Sequence, residues 1–118
     1  MNKIIIYGRL PSLKNSKIIS CMGKRPMLFP SKQHKEWHKD ASSQLLGIKK
    51  IPAGTPITFT YYPPDKRPGD LDNKWQSVGD LFKDNGIVDD DNWFIFPDIH
   101  LKFGGIDKEN PRCEIEYD

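Results

Sequence analysis

A chain of 118 residues has side chains enough for one core, but not for a catalytic domain beside a separate recognition domain, so binding and any chemistry must share one surface. The formal net charge of +2 conceals a division: residues 1–67 carry 13 Lys/Arg against 3 Asp/Glu, and residues 68–118 carry 5 against 13. Such asymmetry points toward nucleic acid, or to a solvated surface whose two signs mix on folding. Cys21 and Cys113 fit neither a zinc-ligand spacing nor a dense disulfide framework, and no stretch approaches the roughly 20 apolar residues of a membrane span. Free thiols in a reducing, cytoplasmic setting are expected.

Lys3 to Tyr7 reads as a buried first strand, with too short an apolar run for a signal peptide, and is closed by Gly8 and Pro11. From Pro11 to Pro30 the chain reads as an irregular or hairpin segment carrying Lys14, Lys17, Lys24 and Arg25, free to follow a phosphate backbone or merely to solvate a loop. Ser31 is a good N-cap for a helix running to about Leu46 and ended by Gly47, with Trp37, Ala41, Leu45 and Gln44 as its inward stripe. His34 and His38 stand one turn apart, but Glu36 falls one place late for a zincin helix, which leaves them on a basic helix surface beside Lys32, Lys35 and Lys39.

Ile57 to Tyr62 alternates as a half-buried strand should and stops at Pro63-Pro64. Asp65-Lys66-Arg67-Pro68-Gly69 is a basic loop leading to Asp70. A second helix is expected from Asp72, its cap, to about Asp84, with Asn85-Gly86 as the stop and Trp75, Val78, Leu81 and Phe82 toward the core. After Asp89-Asp90-Asp91, the span Trp93 to Phe103 reads as strand, and Cys113, Ile115 and Tyr117 mark a last strand, the two forming an antiparallel hairpin across a long loop. The sum is a single α+β domain over residues 1–118, a small mixed β-sheet packed with two helices.

Chemistry concentrates in the acids. In extended backbone Asp70 and Asp72 point to one face, and a helix folding back would bring the Asp89–Asp91 stretch to meet them. Clustered carboxylates resist joint ionisation, and a divalent cation such as Mg²⁺ relieves the conflict while leaving positions open for water and phosphate oxygens, as phosphodiester hydrolysis requires. The plainer alternatives are a turn for Asp70, a cap for Asp72 and a loop for Asp89 to Asp91. A metal-dependent sugar-nucleotide transferase also uses Asp-x-Asp, but the chain lacks the length for a nucleotide-binding α/β domain, so no nucleotide cofactor is expected.

The run Pro64-Asp65-Lys66-Arg67-Pro68-Gly69-Asp70-Leu71-Asp72-Asn73, then Asp80-Leu81, then Gly86-Ile87-Val88-Asp89-Asp90-Asp91, resembles the RusA family of Holliday junction resolvases. Leu10-Pro11-Ser12-Leu13-Lys14-Asn15 is similar to that family's Pro-Ser-x-Asn start. The resemblance implies a RusA-like fold and a crossover junction endodeoxyribonuclease, often prophage-encoded, acting in DNA recombination and repair. Asp70, Asp72 and Asp91 would be its catalytic carboxylates for Mg²⁺, with Mn²⁺ a substitute and Asp90 the alternative third ligand. The family's lysine, four residues after the second Asp, falls here on Gln76; Lys74 is the nearest candidate to replace it. A homodimer is implied, which suits two symmetric cuts in a four-way junction. Lys14, Asn15, Lys17, Lys24, Arg25, Lys66 and Arg67 would face the DNA, mostly at phosphate. The competing expectation is a protein of the same ancestry that binds branched DNA with weak or lost cleavage.

Overall fold

The structure is a computed structural model that describes residues 2–11, 17–22, 25–30 and 32–118, with side chains described for residues 2–11 and 32–118. Lys14, Asn15, Lys24 and the expected cap Ser31 lie outside the described residues, and Lys17, Cys21 and Arg25 are described in backbone alone. The elements are β1 (Asn2–Tyr7), β2 (Lys17–Met22), β3 (Arg25–Pro30), α1 (Lys32–Gln44), β4 (Ile57–Tyr62), α2 (Leu71–Asp84), β5 (Ile99–Phe103) and β6 (Arg112–Tyr117). Strands β2 and β3 make the expected hairpin, a two-stranded antiparallel sheet of its own with Lys17 opposite Pro30 and Met22 opposite Arg25.

The main sheet has the order β1-β6-β4-β5, with β6 antiparallel to both neighbours and β4 parallel to β5. Strand alternation puts one layer of apolar side chains across it. Ile4 stands opposite Ile115, Ile115 opposite Phe59, and Phe59 opposite Leu101. The next layer runs Ile6, Cys113, Tyr61. Ile6, Phe59, Cys113 and Ile115 are fully buried, each worth about 1.5–3 kcal/mol where a large side chain leaves water. Both helices cover this face. Helix α1 contributes Trp37, Ala41 and Leu45, the last from the turn after its end, and α2 contributes Trp75, Val78, Leu81 and Phe82. Trp75 is the hinge of the packing, edge-on to Phe59 at 5.5 Å and to Phe96 at 5.2 Å between ring centroids. The domain is therefore α+β, a four-stranded mixed sheet with two helices.

Four expectations fail in informative ways. β5 and β6 do not pair with each other; both flank β4. Gly104 donates its N–H to the Tyr61 carbonyl and has no room for a Cβ against the Tyr62 ring, and Asp107 N–H bonds the Pro63 carbonyl, so the loop crosses the end of β4. It then delivers β6 to the sheet interior, where Cys113, Glu114 and Ile115 are buried, and leaves β5, with exposed His100, Lys102 and Phe103, at an edge. Trp93 to Phe96 is a turn, because the Asn92 carboxamide oxygen accepts the Phe94 and Ile95 N–H groups, and strand begins only at Ile99.

Helix α2 starts two residues earlier than expected, with Asp70 and not Asp72 at the cap position and Asp72 inside the first turn, where its charge suits the helix dipole. Its end is as expected, with Gly86 at φ +70 just beyond Asn85. Gln44 is not core: its carboxamide bonds both the N–H (2.8 Å) and the carbonyl (3.1 Å) of Tyr7, tying α1 to the end of edge strand β1. Among the described residues no helix is long and apolar enough to cross a membrane.

Candidate functional site

Pro63 and Pro64 end β4, because proline supplies no N–H for the ladder, and the chain turns on Asp65. One carboxylate oxygen of Asp65 accepts the Arg67 N–H (3.0 Å), and the other takes the guanidinium groups of Arg67 (3.2 Å) and of Arg9, which arrives from the end of β1. The segment after β1 is bonded from below as well. Leu10 N–H donates to the Tyr61 hydroxyl (3.0 Å), Lys74 Nζ to the Leu10 carbonyl (2.9 Å), and Ser77 Oγ to the Pro11 carbonyl (2.9 Å).

These bonds wall a cleft of about 630 Å³ at the N-terminus of α2, lined by Arg9, Lys66, Arg67 and Lys74 as cations, Asp65 and Asp70 as anions, and Tyr61, Leu71, Phe103 and Ile106 among its apolar surfaces. Four cations against two carboxylates, at a helix N-terminus, suit a phosphate-bearing polyanion. Burial and then the neighbouring Arg9 push Lys74 below the usual lysine range. Burial likewise raises the Tyr61 phenol, while its bond to Leu10 opposes the rise. Arg9 escaped the sequence reading; its only local signal was a cation between strand-ending Gly8 and Pro11.

The acids divide. Asp70 is exposed, lines the cleft and accepts a bond from Asn73 Nδ2 (3.2 Å). Asp72 is exposed in the first turn of α2. At 100° per residue Asp72, Gln76 and Gly79 share a strip about 60° wide. A Cβ added at Gly79 would stand 3.7 Å from the Asp91 Cβ, so the 87–92 loop does fold back on α2. It meets the helix about 10 Å beyond Asp72, at 1.5 Å rise per residue. Asp70, Asp72 and Asp91 accordingly do not form a group with ligand atoms within 4.8 Å of one another.

The loop also separates its three aspartates by partner. Asp89 is paired with Lys50, and Asp90 with Lys83 (3.4 Å). The Asp91 N–H, and with it Lys83, holds the Asp90 carboxyl below the usual range. Asp91 has no ion pair among the described residues, nor do Asp70 and Asp72. Their donor set, three exposed carboxylates without fixed cations, matches the oxygen chemistry of a hard divalent ion although their positions are not drawn together. Lys74 lies about 200° around the helix from Gln76 and gives its ammonium to Leu10, not to the Asp72–Asp91 strip.

A second polar cluster sits in the seam between the helices. His34 is buried, 5% exposed, with its ring 5.7 Å from that of Trp37, and half-buried His38 bonds Asp84 Oδ2 through Nε2 (2.9 Å). The two histidines are thus not a basic helix surface; α2 covers the face they occupy, which a pattern within α1 cannot show. Asn85 Nδ2 donates to Ser42 Oγ (3.1 Å), so α1 and α2 run alongside in one direction, 38 by 84 and 42 by 85. Burial, then Asp84 and Asp91, raises the Asp80 carboxyl. Among the described residues, His38, Asp80 and Asp84 form the group whose ligand atoms all lie within 4.8 Å of one another. Compared with known proteins, the chain is matched by no protein-family model and by no curated protein.

Proposed function

We propose that this protein is a RusA-like, Mg²⁺-dependent endodeoxyribonuclease that resolves Holliday junctions and other branched DNA by symmetric phosphodiester hydrolysis. It acts as a homodimer in the cytoplasm of a bacterial or phage-infected cell. The observation that carries the reading is the cleft at the N-terminus of α2, where Arg9, Lys66 and Arg67 surround the Asp70 that opens the Asp-Leu-Asp-Asn motif. Phosphate held by those cations would lie next to Asp70.

Asp70, Asp72 and Asp91 would hold the metal, Mg²⁺ or Mn²⁺ in its place. When bound, such an ion acidifies a water and offsets charge developing on the phosphate. The protein's own residues do the rest. The Asp65 clamp fixes the direction of Arg67 and Arg9, and the α2 N-terminus supplies N–H groups and a favourable dipole for phosphate oxygens. Two copies related by a two-fold axis would present matching sites to a four-way junction.

A second reading, junction binding with little cutting, is favoured by one observation. Gln76 occupies the strip between Asp72 and Asp91, where the resemblance calls for lysine, and Lys74 is committed to the Leu10 carbonyl. Incubating the protein with a synthetic four-way junction in Mg²⁺, Mn²⁺ or EDTA separates the two. Paired symmetric nicks that need the metal support the nuclease; binding without nicks under any metal supports the second reading; and no preference for the junction over linear duplex removes both.

A further inference from the structure

The seam between α1 and α2 carries a site that the junction chemistry does not use. His38 reaches from α1 and Asp80 and Asp84 from α2, the latter two one turn apart on one helix face. Their ligand atoms lie within 4.8 Å of one another. Bonds of about 2.0–2.2 Å in a tetrahedral site put donors about 3.3 Å apart. Rotamer shifts of about 1.5 Å or less therefore close the group.

We propose that His38, Asp80 and Asp84 form a binding site for a borderline divalent transition metal such as Zn²⁺, bridging α1 to α2. One imidazole and two carboxylates make a mixed nitrogen–oxygen set, which selects Zn²⁺, Co²⁺ or Mn²⁺ over Mg²⁺. The electrostatics agree. Neither aspartate is in ion-pair contact with a lysine or arginine among the described residues, so two carboxylates lie together beside the imidazoles of His38 and His34, with Lys83 acting on Asp80 only from outside ion-pair distance. A divalent cation supplies the missing charge.

Ser42 Oγ sits 3.5 Å from His38 Nδ1 and itself accepts a bond from Asn85, a contact that favours the ring orientation with Nε2 toward Asp84. The side chains of His38 and Asp84 are 30% and 47% exposed, so a fourth position opens to water. The site stands apart from the cleft and from Asp70 and Asp72, and it ties together the two helices that cover the sheet.

Titrating the full chain with Zn²⁺ in metal-free buffer is expected to show one tight site, and Co²⁺ in its place to develop the visible absorption of a tetrahedral centre. His38→Gln and Asp84→Asn should each weaken Zn²⁺ by about tenfold or more and remove the Co²⁺ spectrum. His100→Gln, which alters the histidine paired with Asp98, should leave both unchanged. Should the variants lose their circular dichroism, protection of His38 in the unaltered protein is read instead, by carbethoxylation and mass spectrometry with and without Zn²⁺. Failure of the unaltered protein to bind Zn²⁺ at micromolar concentration, equal affinity in folded variants, or an unprotected His38 overturns the proposal.

Discussion

Arg9 and Asp65, separated by 56 positions in the chain, form an ion pair that closes one wall of the cleft and joins the end of β1 to the loop before α2. Both side chains are partly exposed, so the pair contributes little to global stability, about 0.2–1 kcal/mol. Its effect is on direction: Asp65 also holds Arg67, and the three residues set where positive charge points. A double-mutant cycle with Arg9→Ala and Asp65→Ala, followed by chemical denaturation, is expected to give a coupling of about 0.5 kcal/mol. A coupling of zero means that the loop is placed by its prolines and not by this contact.

Lys66 and Arg67 are exposed at the rim of the cleft. If each neutralises one DNA phosphate, replacing both by alanine lowers the magnitude of the slope of log affinity against log salt by about 1.8. Junction affinity measured between low and physiological salt reads this directly. An unchanged slope would place the DNA elsewhere on the surface.

The partners of the acidic loop assign unequal roles to neighbouring residues. Asp72→Asn and Asp91→Asn are expected to abolish cutting while binding in EDTA survives, whereas Asp90→Asn, which removes a partner of Lys83, should retain most of the rate. Gln76→Lys puts a cation on the Asp72–Asp91 strip and is expected to raise cutting about tenfold or more, as a preorganised charge at a reacting phosphate does. Lys74→Met should instead loosen the segment at Leu10 with little change in cutting once the fold is intact. The opposite order of effects would return the lysine role to Lys74.

Two buried acids make stability fall in alkali. Burial raises the Cys113 thiol and the Tyr61 phenol, so in the folded state both keep their protons at pH values where the unfolded chain has lost them. Their contribution is complete below the unfolded values of about 8.5 and 10, and it declines as pH rises above them, by up to about 1.4 kcal/mol per pH unit for each group. Urea unfolding from pH 7 to 10 should show the decline beginning near the thiol value. Cys113→Ala should lower stability overall and flatten that first slope; an equal slope in both proteins would mean that another group carries it.

Local pattern alone was enough to place most elements. The alternation Ile57, Phe59, Tyr61 marked β4, the stripe Trp37, Ala41, Leu45 marked the inward side of α1, and Trp75, Val78, Leu81, Phe82 that of α2, all of them buried as their spacing required. A side chain's face follows from the helix or strand period, which is a property of a few consecutive residues. So is a stop such as Asn85-Gly86. Which elements meet is settled only by the whole chain burying its apolar surface together. That is why β6 inserts between β1 and β4 instead of pairing with β5, why His34 lies in the core beneath a helix that its own pattern never mentions, and why Arg9 reaches Asp65. Likewise, composition located the acids, but tertiary packing set Asp91 over Gly79 and drew His38 to Asp80 and Asp84, because contacts between distant segments carry no period that a reader of one segment can count.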